Sequence, residues 1–404
     1  MMNRQDLCAR FPQLSDTVYG KRLVYLDNAA TSLRPTDVVQ TWTQMSLHHN
    51  ANLHRAVHRT AQEATAFYEQ TRDAVRDFLH AGAREEIIFT SGTTAAINLL
   101  AFSIGETFIR PGDEIIVSEA EHHSNLVPWQ MLCERKGAVL KRLGVDDGGR
   151  LRLEDLPALL GERTRLLCIA HISNVLGLVN PIREITDICH ARQCMVLVDG
   201  AQGILHEPVD VQALDCDFYV FSGHKMFAAP GTGVLYGKRS LLERLCPWQG
   251  GGEMIASVSW EKTSYAPLPQ KFEAGTQNIA GTPTLRPAIE VLESLRPTEE
   301  QAITEYLLDW FAARNDIRLF GLPDGKTAKI PLFSIAVEGA HHEDLALILD
   351  KMGVAVRSGQ MCAEPLMDRF GVSGMLRASF APYNTIEEAE IFVQSLEKAI
   401  KMLR

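Results

Sequence analysis

The sequence has no C-x-x-C pair, no excess of basic residues and no apolar run near the roughly 20 residues of a membrane helix. Each absence removes a class of function. The eight cysteines stand apart at positions 8, 133, 168, 189, 194, 216, 246 and 362, which suggests neither a zinc ribbon nor a disulfide framework. Most of them read as small core residues. A formal charge of −10 provides no field for nucleic acid or an anionic membrane. The stretch from Met1 to Leu7 lacks the apolar core of a signal peptide. Repeats and low-complexity segments are also missing. The expectation is a soluble, cytoplasmic protein with no nucleic-acid or membrane partner.

The remainder is an ordinary globular mix, 46% hydrophobic and 22% charged, long enough for two or three domains. Five short runs read as buried parallel strands: Glu114–Ser118, Arg165–Ala170, Met195–Val198, Asp217–Phe221 and Gly233–Tyr236. Helical stretches such as Asn180–Arg192 fall between several of them, which predicts an α/β fold with a mainly parallel sheet. The pattern changes after about residue 288. Thr298 with Gln301, and Thr385 with Glu388, carry capping-box signatures for helices. Strands are expected at Ile330–Val337, Val354–Arg357 and Met375–Phe380, with a helix over Glu343–Met352. The expected division is an N-terminal segment over 1–16 that packs with a small domain, a large domain over 17–288, and a smaller C-terminal α+β domain over 289–404.

Four segments carry chemistry. Phe221-Ser222-Gly223-His224-Lys225 leaves the end of a strand, where ligands of open α/β sheets bind. A lysine there can form an imine with an aldehyde cofactor, although alone such a lysine is more often solvated. Val198-Asp199-Gly200-Ala201-Gln202 likewise places a carboxylate at a strand end. It could pair with a protonated pyridine nitrogen, or simply cap a helix. Thr90-Ser91-Gly92-Thr93-Thr94 sets glycine and hydroxyls at a helix start, either a phosphate cradle or a plain cap. Glu121-His122-His123 follows a strand and could stack an imidazole on an aromatic ring. His54 and His58 stand four apart, but no carboxylate or thiol completes a metal site, and metal is discounted.

In this order the segments resemble the fold-type I pyridoxal-phosphate transferases of the class V aminotransferase-like family. Tyr25–Ala30, His54-Arg55, Ser173–Gly177 and Phe272–Thr276 extend the resemblance over nearly the whole chain. It implies Lys225 as the Schiff-base lysine, Asp199 as the pyridine-nitrogen partner, Gln202 at the ring oxygen and His122 stacked on the ring. Thr93, Thr94, Ser222 and His224 would hold the phosphate, with Thr276 contributed by the other subunit of a homodimer. Asn174 and Arg377 would bind the substrate carboxylate, with Ala29, His54, Arg55 and Arg357 also on the substrate side.

Arg357-Ser358-Gly359-Gln360-Met361-Cys362-Ala363-Glu364-Pro365 resembles the R-x-G-x-x-C-A-x-P loop of the group II (SUF-type) cysteine desulfurases. The resemblance implies conversion of L-cysteine to L-alanine, a persulfide on Cys362 and an acceptor protein for iron–sulfur cluster or related biosynthesis. Arg357 would favour the reactive thiolate. Alternatives are a selenocysteine lyase acting on L-selenocysteine and a non-catalytic cofactor-binding scaffold. Gln360 and Met361 replace the histidines often found before the cysteine. Ser91 and Ala95 stand where many relatives carry arginine and glutamate.

Overall fold

The computed structural model describes residues 4–296, 298–325 and 328–404. A seven-stranded sheet comprises β1 (Ile87–Thr90), β2 (Glu114–Ser118), β3 (Val139–Leu143), β4 (Thr164–Ala170), β5 (Met195–Asp199), β6 (Phe218–Ser222) and β7 (Gly233–Gly237). Their spatial order is β1-β7-β6-β5-β4-β2-β3. The run from β6 to β3 is parallel throughout. The central strands are buried on both faces, as their unbroken apolar composition requires. Val196, Leu197, Val198, Phe218 and Val220 are wholly covered. Each such side chain stabilises the fold by roughly 1.5–3 kcal/mol.

Gly233–Tyr236 corrects one expectation: β7 runs antiparallel to both β6 and β1. Composition reports burial but not direction. Direction follows from the connection, and the short link from Ser222 to Gly233 contains no crossover helix, only the turn Gly223–Lys225.

A second, antiparallel sheet lies in the C-terminal part, with β8 (Ile317–Phe320), β9 (Leu332–Val337), β10 (Arg357–Gly359) and β11 (Met375–Ser379) in the order β8-β9-β11-β10. Ile303, Leu307, Leu345, Leu349, Phe392 and Leu396, from helices Glu300–Ala312, His342–Lys351 and Ile386–Leu403, cover it. The expected strand Val354–Arg357 is two strands. Val354–Ala355 pairs in parallel with Val24–Tyr25, and Arg357 begins β10. The Thr385–Glu388 capping box forms in its Glu388 half, where Thr385 N donates to Glu388 Oε2 at 3.3 Å, while Thr385 Oγ1 has no partner among the described residues. The one expected at Thr298 does not form: Thr298 Oγ1 accepts from Glu300 N, while Gln301 donates to Glu305. The N-terminal helix Arg4–Arg10 touches both parts. Arg4 pairs with Glu388, while Leu7, Phe11 and Leu14 join the main core; residues 1–3 of that segment lie outside the described residues. No helix among the described residues is long and apolar enough to cross a membrane.

Candidate active site

The parallel register of β5 and β6 sends Asp199 and Ser222 out of the same edge of the sheet, and the turn after Ser222 delivers Lys225. One cavity is lined there by Asp199, Gln202, Ser222, His224 and Lys225 of the large sheet's edge, and by Thr93, Thr94 and His122 beside them. Arg357, Cys362 and Arg377 close it from the C-terminal part, with Asn174 and Ala29 also on its wall. Residues spread from position 29 to 377 therefore meet in one space.

Lys225 Nζ makes no hydrogen bond or ion pair among the described residues. Burial lowers its pKa to about 8, with nearby Asp199 opposing and Arg377 and Arg357 reinforcing the shift. Asp199 is 5% exposed, and its Oδ1 accepts from Ala201 N at 2.9 Å. Burial pushes its carboxyl pKa upward, against that hydrogen bond and the Lys225 charge. His122 is held through Nδ1 by Ser124, whose N and Oγ lie 3.1 and 2.8 Å away. Burial, then Lys225, lowers its pKa to about 4, so the ring is neutral at physiological pH. Gln202 Nε2 donates to Ala29 O at 2.9 Å.

Gly92 caps the helix Thr93–Thr107 with no side-chain bond. Thr93 N and Oγ1 both lie 2.8 Å from Ser222 Oγ. A Cβ on Gly233 of β7 would stand 2.4 Å from Gly92 Cα, so a glycine there lets this loop settle against the sheet. The helix-start N–H groups beyond Thr93 N, the hydroxyls and His224 could together hold an anion. His224 is fixed through Nδ1 to Thr31 Oγ1 at 3.1 Å. An unpartnered lysine amine, a buried carboxylate, a neutral imidazole and an anion cradle in one cavity fit the polar groups of pyridoxal phosphate.

On the substrate side, Arg377 is 2% exposed. Its Nη2 donates to Asp27 Oδ1 at 3.1 Å and its Nη1 to Asn174 O at 2.8 Å, while Nε is buried without a partner. Burial lowers its pKa to about 10. Asp27 was not among the sequence candidates, although it lies within the matched Tyr25–Ala30 segment. Asn174 Nδ2 donates to Met361 O at 2.9 Å, which anchors the loop before Cys362. Cys362 is exposed, and Met361 and Cys362 are both left-handed, at φ 54° and 57°. Glu121 was read only as the start of a histidine segment. It is enclosed by Asn125 Nδ2 at 2.7 Å and Ala170 N at 2.9 Å, and burial raises its pKa to about 7.

Three candidates lie outside this cavity. His54 Nε2 meets Glu69 Oε1 at 3.1 Å, and Arg55 Nε meets Glu253 Oε1 at 2.7 Å. Thr276 lines a separate hollow with Ser91 and Ala95.

The family model for class-V aminotransferases matches residues 24–392. The probable cysteine desulfurase of Vibrio cholerae is 43% identical over 407 residues, covering 100% of both chains. Among solved structures, the cysteine desulfurase CsdA of Escherichia coli, in its S-sulfonic acid form, superposes with a TM-score of 0.90 at 39% identity over 100% of both chains. The apo cysteine desulfurase of Thermococcus onnurineus superposes with a TM-score of 0.93 at 35% identity, covering 99% of each.

Proposed function

The chain belongs to the class-V aminotransferase family and is a pyridoxal-phosphate-dependent cysteine desulfurase, and from that premise we propose that Lys225 moves the substrate's proton while Cys362 takes its sulfur. The observation that carries this reading is the convergence of the Lys225 amine and the exposed Cys362 thiol on one cavity from two parts of the chain.

Pyridoxal phosphate, when bound, supplies an electron sink for charge that develops at the substrate's Cα. Lys225 would hold it as an imine, Asp199 would pair with its ring nitrogen, and His122 would lie against its ring. Gln202 would meet its ring oxygen, and Thr93, Thr94, Ser222 and His224 would receive its phosphate. Lys225, as a free amine, accepts the Cα proton of cysteine. A pKa near 8 leaves enough neutral amine for that task at physiological pH. Arg377 and Arg357 orient the substrate carboxylate, with Asn174 and Ala29 on the same wall. The Cys362 thiolate attacks the substrate sulfur. An S–S bond forms as the substrate's Cβ–S bond breaks, and the electron pair left on the three-carbon fragment is quenched by a proton. Alanine and a Cys362 persulfide result, and the sulfane sulfur passes to an acceptor protein for iron–sulfur cluster or related biosynthesis.

We assign Thr276, and with it His54 and Arg55, to the cavity of a second copy in a homodimer. Residues 17–288 form the cofactor-holding unit in this reading, and 289–404 the unit that brings the nucleophile. A reducing cytoplasm suits a chain whose eight cysteines are all free. Mass spectrometry of the Cys362 peptide after brief exposure to cysteine tests the assignment. One added sulfur on Cys362 is expected; a labelled alternative cysteine with Cys362 unmodified would contradict it.

A further inference from the structure

Two consecutive L-residues in the left-handed region are strained and persist only where the surroundings enforce them. Met361 and Cys362 are such a pair. Asn174 holds the first through its carbonyl. The second is held from the large sheet's side: His123 N donates to Cys362 O at 2.9 Å. The His123 ring reaches two residues further along the loop, where Nε2 lies against Glu364 Oε2. Glu364 N donates to the same ring nitrogen at 3.4 Å, so ring and backbone also hold the loop together.

His123 directly follows His122, which faces the cavity. The His123–Glu364 contact therefore ties the segment carrying His122 to the loop carrying Cys362, across two parts of the fold. We infer that His123 and Glu364 are positioning residues for Cys362: their clasp fixes the strained loop so that the thiol stands over the substrate's sulfur. The inference rests on the reading of Cys362 as the residue that takes sulfur. Glu364 and His123 do not line the cavity, and the groups that would bind cysteine are elsewhere. Loosening the clasp should therefore slow sulfur transfer and leave substrate binding alone. Both side chains are partly exposed, at 35% and 46%, so the pair itself adds little to global stability.

The test uses the holoenzyme carrying His123→Ala, Glu364→Ala or Glu364→Gln, with Cys362→Ala in parallel. Alanine formation gives kcat and KM, absorbance gives cofactor content, and thermal unfolding gives Tm. Both alanine variants at the clasp should lose about tenfold or more in kcat, within the range that small misplacement of a reacting group costs. KM, cofactor content and Tm should stay close to those of the parent. Glu364→Gln keeps a polar side chain of the same shape against His123 Nε2 and should recover most of kcat. Iodoacetamide alkylation of Cys362 should also change rate in the alanine variants, because it reads the loop without the reaction. Parental kcat in both alanine variants would overturn the inference. So would a loss accompanied by equal loss of cofactor or a matching rise in KM, or a glutamine variant as impaired as alanine. Full turnover by Cys362→Ala would instead remove the reading on which the clasp rests.

Discussion

Arg357 and Arg377 stand directly opposite each other in the antiparallel pairing of β10 with β11, and only Arg377 has a carboxylate partner, Asp27. Residues so placed share one face of a sheet, and like charges there repel. Both line the cavity, and Arg357 makes no ion pair among the described residues. A substrate carboxylate bound there would relieve that repulsion, which would be a physical reason for two arginines at one register position.

Truncating either arginine should weaken cysteine binding more than it slows chemistry. Arg377→Ala leaves Asp27 and Asn174 O without their donor, and kcat/KM for cysteine should fall about a hundredfold or more. Arg357→Ala should cost roughly tenfold, mostly as KM, since no protein partner is stranded. Steady-state alanine formation over a range of cysteine concentrations checks both.

Lys225 gives a pH dependence that can be read on the apoprotein. Only a neutral amine forms an imine with an aldehyde, and burial holds this amine neutral above about pH 8. The rate of pyridoxal phosphate loading should therefore rise about tenfold per pH unit below that value and flatten above it. A rate that continues to climb through the ordinary lysine range would contradict this. His122 should not shape the profile above pH 5, because its pKa is near 4.

Asp199→Asn removes the charge that would stabilise a protonated ring nitrogen but preserves much of the shape. Cofactor content should remain near that of the parent while kcat falls by about a hundredfold or more, the scale of losing a buried electrostatic partner in a reaction. Spectrophotometric cofactor content alongside alanine formation separates the two effects.

The anion cradle should fail through its backbone. Gly233→Ala would place a Cβ 2.4 Å from Gly92 Cα, which cannot be accommodated by a side-chain shift. The expected result is weaker retention of pyridoxal phosphate on dialysis, with Ser222→Ala a milder variant because it removes one hydroxyl and its 2.8 Å contacts to Thr93 but leaves the backbone of the loop in place.

Much of this site was legible because its residues sit at strand ends. Asp199 and Ser222 terminate short apolar runs, and a parallel sheet delivers such ends to one edge. Direction was less legible: Gly233–Tyr236 has the same apolar composition as its neighbours but runs the other way. Pairings across long sequence distances were invisible. Asp27 and Arg377 are 350 residues apart, and no local period announces their contact. The backbone bond from His123 to Cys362 and the contact of its ring with Glu364 depend equally on how two parts of the chain meet. The capping box proposed at Thr298 shows the reverse limit, since a local signature gave way to the pairing of Gln301 with Glu305.

Cys362 is the exposed thiol on the cavity that it shares with Lys225. The most direct measurement is alanine formation from cysteine by Cys362→Ala compared with the parent, each carrying its cofactor. The variant is expected to bind pyridoxal phosphate normally and to produce almost no alanine from cysteine. Parental turnover by that variant would contradict the claim that Cys362 takes the sulfur.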